Sequence, residues 1–447
     1  SAASDVYKRQ ESSYALYRQR NVGQIFICRK ENGNFCYFGS DNTIFGTQQL
    51  LCDNDPIENS IKCGGSVLFY VSKNSIINNG FLNSFHKYIE LCPEQENPDM
   101  LLYIEELREF TGGDTIAYMN YYSQMLSLLK RGIVIHHGSL PLHARVLIEK
   151  FTRAGYCKIC FATSTLEQGI NMPFDIVYID RLESSKELSV KNLIGRAGRS
   201  STSRKIDYGT VIVAASKVSK LRKILKSETK INPVSQFEVN DDCLDDEFKD
   251  FKEAIVNNTF SDQFNLTQNK IKILSNHELD SVLKQILDVF FVENQKNGFE
   301  KLDAQAKRKL KDLFVEFYMN YLERNLAEGE KRVFRTAISI LIMKIQGQTF
   351  RNICHRRYAY ISKMQERKEK ERLGISTDSI NAQFSQKCQD LPNGSLIHPI
   401  PLFGCGTKAR EVDYDIVTYD TYDYLDKVIN LYLSDIFYAA FLKSILR

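Results

Sequence analysis

The chain has 447 residues and an ordinary hydrophobic content of 43%, enough for two or three domains that each bury a core. Its formal net charge of +4 is modest, so charge alone does not indicate a nucleic-acid partner. No apolar run reaches the roughly 20 residues that a membrane helix requires, so no membrane partner is predicted. Eleven cysteines without a disulfide-scaffold spacing favour a reducing, cytoplasmic compartment.

Residues 1–60 are predicted to be a lead-in segment that precedes the main domain. Two short apolar runs within it, Gln24–Cys28 and Asn34–Phe38, have the composition of strands. The polar turn Glu31–Gly33 lies between them, so they are compatible with two joined strands.

Residues 61–226 alternate short apolar runs with amphipathic stretches. The runs are rich in β-branched residues and nearly unbroken, as in parallel strands that are buried on both faces. The intervening segments are long enough for crossover helices, of which Ile116–Lys130 and Leu142–Arg153 are the clearest. The pattern predicts a doubly wound α/β domain with a parallel sheet. Its predicted strands are Val67–Val71, Val134–His136, Ile159–Ala162, Ile176–Ile179 and Thr210–Ala214.

A helical C-terminal domain is predicted for residues 276–447, after an acidic linker at 227–275. Apolar residues recur with helical spacing from Leu279 to Ile342, which predicts helices stacked into a bundle. The stretch Arg351–Arg372 carries eight Lys/Arg against three Glu. It is compatible with a helix that tracks a phosphate backbone and, equally, with a solvated charged face.

Two arginines suited to phosphate binding, Arg196 and Arg199, stand three residues apart in the run NLIGRAGR. Guanidinium forks match phosphate oxygens, and the neighbouring glycines let the backbone come close. The pair is predicted to lie near the start of a helix and to face one polyphosphate. The alternative is a surface turn with local ion pairs.

Further phosphate contacts are predicted where buried strands end. Gly138 and Ser139 follow one strand, and their loop leads into a helix whose N-terminus can receive a phosphate without reading bases. Thr163 and Ser164 end another strand, at the carboxyl edge where α/β sheets bind ligands; the alternative is simple helix capping. Arg145 could brace the first loop or touch the backbone. The full set of predicted nucleic-acid contacts is Gly138, Ser139, Arg145, Thr163, Ser164, Ser72 and Lys73.

No metal site is predicted. His136 and His137 are adjacent on a strand and point to opposite faces, so they cannot readily share one ion. His137 is interpreted as a packing or loop-bracing residue. Cys157 and Cys160 form a lone C-x-x-C with no second pair, which is typical of ordinary cysteines beside a buried strand.

The order of these motifs resembles the second RecA-like lobe of a superfamily-two helicase, nearest to the Ski-like and DEAD-like branches. SVLFYVSKNS (Ser66–Ser75) resembles motif IV, and the His-His-Gly run with Arg145 resembles the loop and helix after it. FATSTLEQGINMP (Phe161–Pro173) resembles motif V, and NLIGRAGR resembles motif VI. The resemblance covers roughly residues 11–215. It implies a RecA-like sheet and an ATP-driven motor on RNA or DNA, with a single strand as the expected partner.

The resemblance also implies roles for single residues. Arg196 and Arg199 would reach across a cleft to the phosphates of ATP, and Thr163 would bind a nucleic-acid phosphate. Gly169 and Asn171 would lie near the ATP ribose. Asn192 stands where the family usually has Gln or His, and it is expected to contact nucleotide with a shorter reach.

No G-x-x-x-x-G-K-[ST] sequence occurs in the chain. ATP and Mg²⁺ are therefore expected to be held mainly by a missing first lobe, which is itself an expected partner, and the chain alone is expected not to hydrolyse ATP. A separate partner protein is a further option. Two alternatives stay open: a motor that translocates without separating strands, and a helicase-derived lobe that serves only as a nucleic-acid-binding or scaffold module.

Overall fold

The structure is a computed structural model that describes residues 22–39, 50–163, 172, 174–182, 187–198, 207–227, 246–261, 263–274, 277–292, 295–296, 302–372 and 413–445. The chain divides into two units, Ser1–Lys230 and Ile231–Arg447. Among the helices in these ranges, none is long and apolar enough to cross a membrane.

The first unit is built on a seven-stranded sheet. Its strands are β1 Val22–Arg29, β2 Phe35–Tyr37, β3 Val67–Tyr70, β4 Ile133–His136, β5 Ile159–Ala162, β6 Ile176–Ile179 and β7 Asp207–Ala214. They are ordered β2-β1-β7-β6-β3-β5-β4. All neighbours are parallel except β2, which pairs antiparallel with β1 at one edge. The five strands predicted between residues 61 and 226 are all present, and the predicted α/β fold class with its parallel sheet is confirmed.

The hairpin β1–β2 belongs to this same sheet. β1 pairs with β7 along its whole length, from Val22 opposite Asp207 to Arg29 opposite Ala214. The two strands predicted in the lead-in segment are therefore confirmed, and their hydrogen bonds join this segment to the domain at 61–226.

Nine helices of the described first unit surround the sheet. They are α1 Pro56–Lys62, α2 Lys73–Ile77, α3 Gly80–Ser84, α4 His86–Ile89, α5 Pro98–Thr111, α6 Gln124–Lys130, α7 Leu142–Arg153, α8 Glu187–Ile194 and α9 Val218–Lys226.

The helix predicted at Leu142–Arg153 is confirmed, whereas the one predicted at Ile116–Lys130 is wrong in its first half. A bridge between Asp114 and Tyr122 closes residues 114–122 into a loop. The helix α6 starts only after Ser123, whose Oγ accepts a hydrogen bond from the Leu126 N–H at 3.1 Å and caps it.

The two faces of the sheet are filled differently. Phe69, Phe161 and Tyr178 stand in register on neighbouring strands and share one face, with the Phe69 and Phe161 ring centroids 5.2 Å apart. Phe85 packs on the same face, 4.4 Å from Phe69. Each fully buried ring contributes about 2–3 kcal/mol relative to an exposed one. Alternation places smaller residues, including Cys160 and Ala162, on the opposite face.

Two glycines allow a close crossing of chain segments after α8. Gly198 has φ +80°, and a Cβ on it would lie 2.6 Å from the backbone nitrogen of Gly209. A Cβ on Gly209 would in turn lie 2.5 Å from the Ala197 carbonyl oxygen. Gly198 is therefore required by the lobe's own packing against β7.

The second unit is helical, as predicted. Its helices are α10 Asp246–Val256, α11 Gln268–Ile273, α12 His277–Phe290, α13 Ala304–Leu322, α14 Glu328–Ile345, α15 Phe350–Arg372 and α16 Tyr414–Asp423, which continues as a π-helix Tyr424–Leu433 into α17 Ser434–Ile445. Two small antiparallel pairs join Phe260–Ser261 to Leu266–Thr267 and Phe291–Val292 to Gln295–Lys296.

The predicted apolar stripes form the core of this unit. Leu279, Phe314, Phe334 and Ile338 are all buried in it. Leu266 and other residues of the predicted linker pack into the same core, so the part of 227–275 that the structure describes from residue 246 onward is folded.

The prediction that the cationic stretch Arg351–Arg372 faces a phosphate backbone or solvent needs a correction at Arg357. Its Nη2 donates to Asp420 Oδ2, its Nη1 donates to Thr421 Oγ1 at 2.8 Å, and its guanidinium lies 5.2 Å from the centre of the Tyr424 ring. The side chains of Arg357 and Asp420 are only 11% and 3% exposed. Arg357 thus anchors α15 on α16, while Arg356 on the same helix is exposed.

Candidate functional site

The two predicted phosphate loops meet at the carboxyl edge of the parallel strands β4 and β5. His136 ends β4 opposite Ala162, and the loop with Gly138 and Ser139 follows it. Thr163 follows β5, and its backbone N–H donates to the His136 carbonyl oxygen at 3.2 Å. The structure therefore brings Gly138, Ser139 and Thr163 to neighbouring positions.

The loop after β4 is braced from within by His137. Its Nδ1 accepts a hydrogen bond from the Ser139 N–H at 3.2 Å, and its carbonyl oxygen accepts one from the Leu140 N–H at 3.1 Å. The loop-bracing interpretation of His137 is confirmed. Because the Ser139 N–H is used inside the loop and its side chain is buried, the half-buried Gly138 offers the more accessible backbone.

A buried histidine at this edge lies within electrostatic range of two arginines. Burial, and after it the positive charges of Arg145 and Arg196, together lower the pKa of His136 from 6.5 to about 4. Among the described residues, neither ring nitrogen of His136 has a hydrogen-bond partner, nor does the buried Nε of Arg145. His136 is therefore neutral at physiological pH.

The charge of Arg196 acts on His136 and Cys160, two residues on the face of the sheet that carries the small residues. Register places Cys160 beside Val134 and Ala162 beside His136 on this face. Burial raises the pKa of the Cys160 thiol, and the charge of Arg196 opposes that rise. The Arg196 side chain, only 8% exposed, thus lies inside the lobe.

The position of Arg196 along the chain also differs from the prediction of a helix start. It follows the carboxyl end of α8, where its N–H donates to the Leu193 carbonyl oxygen at 3.1 Å. A cation is favourable near this end of the helix dipole.

Of the remaining predicted residues, Ser72 and Lys73 follow β3 at the same carboxyl edge, because β3 pairs in parallel with β5 and the Val71 N–H donates to the Ala162 carbonyl oxygen at 2.9 Å. Ser72 caps α2, because its Oγ accepts from the Ser75 N–H at 3.1 Å, and Lys73 opens that helix. Asn192 is exposed on α8. The predicted site residues outside the described ranges are Ser164, Gly169, Asn171 and Arg199.

The cysteines of the C-x-x-C are buried near the same strands. Burial raises the pKa of the Cys157 thiol to about 12 and that of Cys160 well above its ordinary value, so both are protonated. In the part of the chain that the structure describes, no group of three or more His, Cys, Asp or Glu side chains could hold a metal ion.

The low pKa of His136 predicts an acid-sensitive fold. The folded protein binds this proton only near pH 4, whereas the unfolded chain binds it near 6.5. As pH falls, the unfolded state gains this proton first. The free energy of unfolding is therefore highest above about pH 6.5 and decreases towards pH 4. We expect His136 to cost up to about 3 kcal/mol of unfolding free energy over that range.

Urea unfolding of the wild type and His136→Gln between neutral pH and pH 4.5 checks this expectation. Gln does not titrate, so the variant should lose less stability than the wild type on acidification, whatever its stability at neutral pH. Parallel pH dependences would show that His136 is not the group responsible.

Comparison with known proteins identifies the domain that carries these motifs. The helicase conserved C-terminal domain matches residues 98–201, about a quarter of the chain. Hachiman protein HamB of Bacillus cereus is 34% identical over 148 residues, which are 31% of this chain and 12% of that protein.

Two further relatives are helicases by name. The ATP-dependent DNA helicase Hel308 of Thermoplasma acidophilum is 36% identical over 89 residues, or 18% of this chain and 13% of that protein. The antiviral helicase SKI2 of Saccharomyces cerevisiae is 36% identical over 94 residues, or 20% of this chain and 7% of that protein. The matched part is thus a small share of each relative. With the parallel sheet and the ordered motifs, these matches show that the chain carries the C-terminal lobe of a superfamily-two helicase.

Proposed function

We propose that the chain is the second RecA-like lobe of an ATP-dependent nucleic-acid helicase or translocase, and that it completes an ATP site whose P-loop lies on another lobe. The observation that carries this proposal is the hydrogen bond from Thr163 N–H to the His136 carbonyl, which holds two phosphate loops side by side. The Arg196 backbone lies beside the segment that precedes β6, where its carbonyl oxygen accepts a hydrogen bond from the Phe174 N–H at 3.2 Å, and its charge acts on His136.

On the ATP side, Arg196 and Arg199 act as arginine fingers. Such groups neutralise charge that develops on the transferred phosphoryl group. A guanidinium binds phosphate oxygens and repels a metal ion. This lobe therefore contacts the triphosphate, and Mg²⁺ is held mainly by the P-loop lobe. Arg196 must rotate out of the lobe to reach the nucleotide, because it is only 8% exposed here. Gly169, Asn171 and Asn192 would contact the nucleotide beside it.

On the nucleic-acid side, the Gly138 backbone and the Thr163 hydroxyl receive phosphates of one strand, with Arg145 behind the loop. Thr163 is only 6% exposed here and must become accessible to make this contact. Contacts of this kind position a strand without reading its bases. The expected ligand is therefore single-stranded RNA or DNA of any sequence. Closing and opening of the ATP cleft would shift these contacts along the strand as a hinge motion does.

The nucleic-acid half of this proposal predicts a specific effect for Thr163→Ala. Loss of one hydrogen bond should weaken single-strand binding by about 1 kcal/mol, roughly fivefold in Kd, with no change in base preference. Fluorescence anisotropy with matched pyrimidine and purine oligonucleotides measures both quantities.

The matched control is Thr163→Ser, which keeps the hydroxyl and should bind as the wild type does. An effect of Thr163→Ala confined to one base composition would contradict a backbone contact. Equal binding by the Ala and Ser variants would remove Thr163 from the phosphate track.

A further inference from the structure

Two cysteines stand directly opposite each other on the antiparallel pair β1–β2, where Cys28 pairs with Cys36. Backbone hydrogen bonds from Lys30 N–H to Asn34 O at 2.8 Å and from Phe38 N–H to Phe26 O at 3.0 Å flank them. Because such bonds recur at every second pair, Cys28 and Cys36 form a pair of the hydrogen-bonded type, with Cα atoms about 5.5 Å apart. That Cα separation lies in the range of disulfides, whereas the Cβ atoms of a hydrogen-bonded pair lie about 5.5 Å apart and must approach to about 4.5 Å or less, so bond formation requires a local shift of the two strands.

The two thiols are also close and reachable. Neither is part of a disulfide here, and a hydrogen bond between them contributes to the raised pKa of Cys28, after burial and the charge of Cys36. The charge of Lys30 opposes that rise. Cys28 is half-buried and Cys36 is buried, so a small solute meets Cys28 first.

A third cysteine, Cys52, lies nearby but in a different register. Leu51 is the residue that bridges to Cys36, and the Cys52 N–H donates to the Phe35 carbonyl oxygen at 2.9 Å. The Cys52 thiol is hydrogen-bonded to Tyr37. Tyr37 follows Cys36 on β2, so the two side chains point to opposite faces of the strand. Geometry therefore pairs Cys36 with Cys28.

We propose that Cys28 and Cys36 are a modification site that forms a reversible intrachain disulfide, with a small-molecule disulfide of the glutathione type as the oxidant. The Cys28 thiolate attacks one sulfur of that disulfide, which leaves a mixed disulfide on Cys28 and releases one small thiol. The Cys36 thiolate then attacks the Cys28 sulfur and expels the second small thiol. The two protein thiols lose two electrons and two protons, and one small disulfide becomes two thiols.

The bond would lock the register of a hairpin that is tied to the rest of the lobe. Phe38, just after β2, packs on Phe26 with ring centroids 5.7 Å apart. The guanidinium of Arg222 on α9 lies 5.6 Å from the centre of the Phe38 ring, and its Nε donates to the Gly39 carbonyl oxygen at 3.0 Å. Because burial keeps Cys28 mostly protonated, the reaction is slow at neutral pH and faster in mild alkali.

Incubation of the full chain with oxidised glutathione, followed by intact mass and non-reducing peptide mapping, tests the site. The expected product lacks two hydrogens and links the Cys28 and Cys36 peptides, and dithiothreitol restores the thiols. Cys36→Ser should instead accumulate a glutathione adduct on Cys28, because no second thiol resolves it. Cys28→Ser should give no cross-link at Cys36.

Cys63→Ser is the matched control, because Cys63 is exposed on the far end of α1 and its thiol contacts Asn59. That variant should form the Cys28–Cys36 bond as the wild type does. Circular dichroism shows that each variant is folded. A wild type that stays unlinked, or a link from Cys36 to Cys52 in place of Cys28, would overturn the proposal.

Discussion

Alanine at Arg196 or Arg199 is expected to lower nucleic-acid-stimulated ATP turnover by about 10³–10⁵-fold, in a protein that also contains the P-loop lobe. The loss removes a positive charge that the phosphoryl transition state needs more than the ground state does, so kcat falls while nucleic-acid binding stays largely intact. Steady-state ATPase assays with saturating single-stranded nucleic acid measure the effect.

Two matched variants distinguish the loss of an arginine finger from a nonspecific effect of removing any arginine on ATP turnover. Arg153→Ala removes a side chain that is 54% exposed on α7 and pairs with Glu149, and its turnover should be unchanged. Arg196→Lys keeps the charge but loses the guanidinium fork, so its turnover should lie between wild type and Arg196→Ala. Equal turnover of Arg196→Ala and Arg153→Ala would exclude Arg196 from the ATP site.

The second large effect is expected from Arg357→Gln in the helical unit. This change leaves Asp420 buried without its cationic partner and removes the donor to Thr421. Breaking a buried pair from one side costs about 3–5 kcal/mol of unfolding free energy. Urea unfolding followed by the helical circular dichroism signal measures the loss.

The neighbouring Arg356→Gln is the control, because Arg356 is exposed and its replacement should change stability by no more than about 0.5 kcal/mol. The double variant Arg357→Met with Asp420→Leu removes both charges and should recover most of the loss. If Arg357→Gln were as stable as Arg356→Gln, the pair would not anchor α15 on α16.

The strands β3 to β6 were predictable from the sequence because each is buried on both faces. All four residues of β3, β4, β5 and β6 are buried, so their apolar runs are short and unbroken. Such runs identify parallel strands without any knowledge of their partners. The loops that follow them could be located for the same reason, and Gly138 and Thr163 do lie at one edge.

What the sequence could not show depends on contacts between distant residues. The apolar spacing of Ile116–Lys130 continues through a loop that only the Asp114–Tyr122 bridge reveals. Arg356 and Arg357 are adjacent in the sequence and share their flanking residues, so the sequence does not distinguish them. The partner of Arg357, Asp420, lies 63 positions further along the chain. The burial of Arg196 likewise depends on a distant contact, because its carbonyl oxygen accepts a hydrogen bond from the Phe174 N–H, 22 positions earlier in the chain.

The central claim is that this lobe completes an ATP site formed with a P-loop lobe. It is tested most directly by measuring ATP hydrolysis for residues 1–447 alone and again after a P-loop-containing first lobe is joined to them, with and without single-stranded nucleic acid. We predict no hydrolysis above background for residues 1–447 alone and nucleic-acid-stimulated hydrolysis for the joined protein. Robust hydrolysis by residues 1–447 alone, or none by a folded joined protein, would contradict the account.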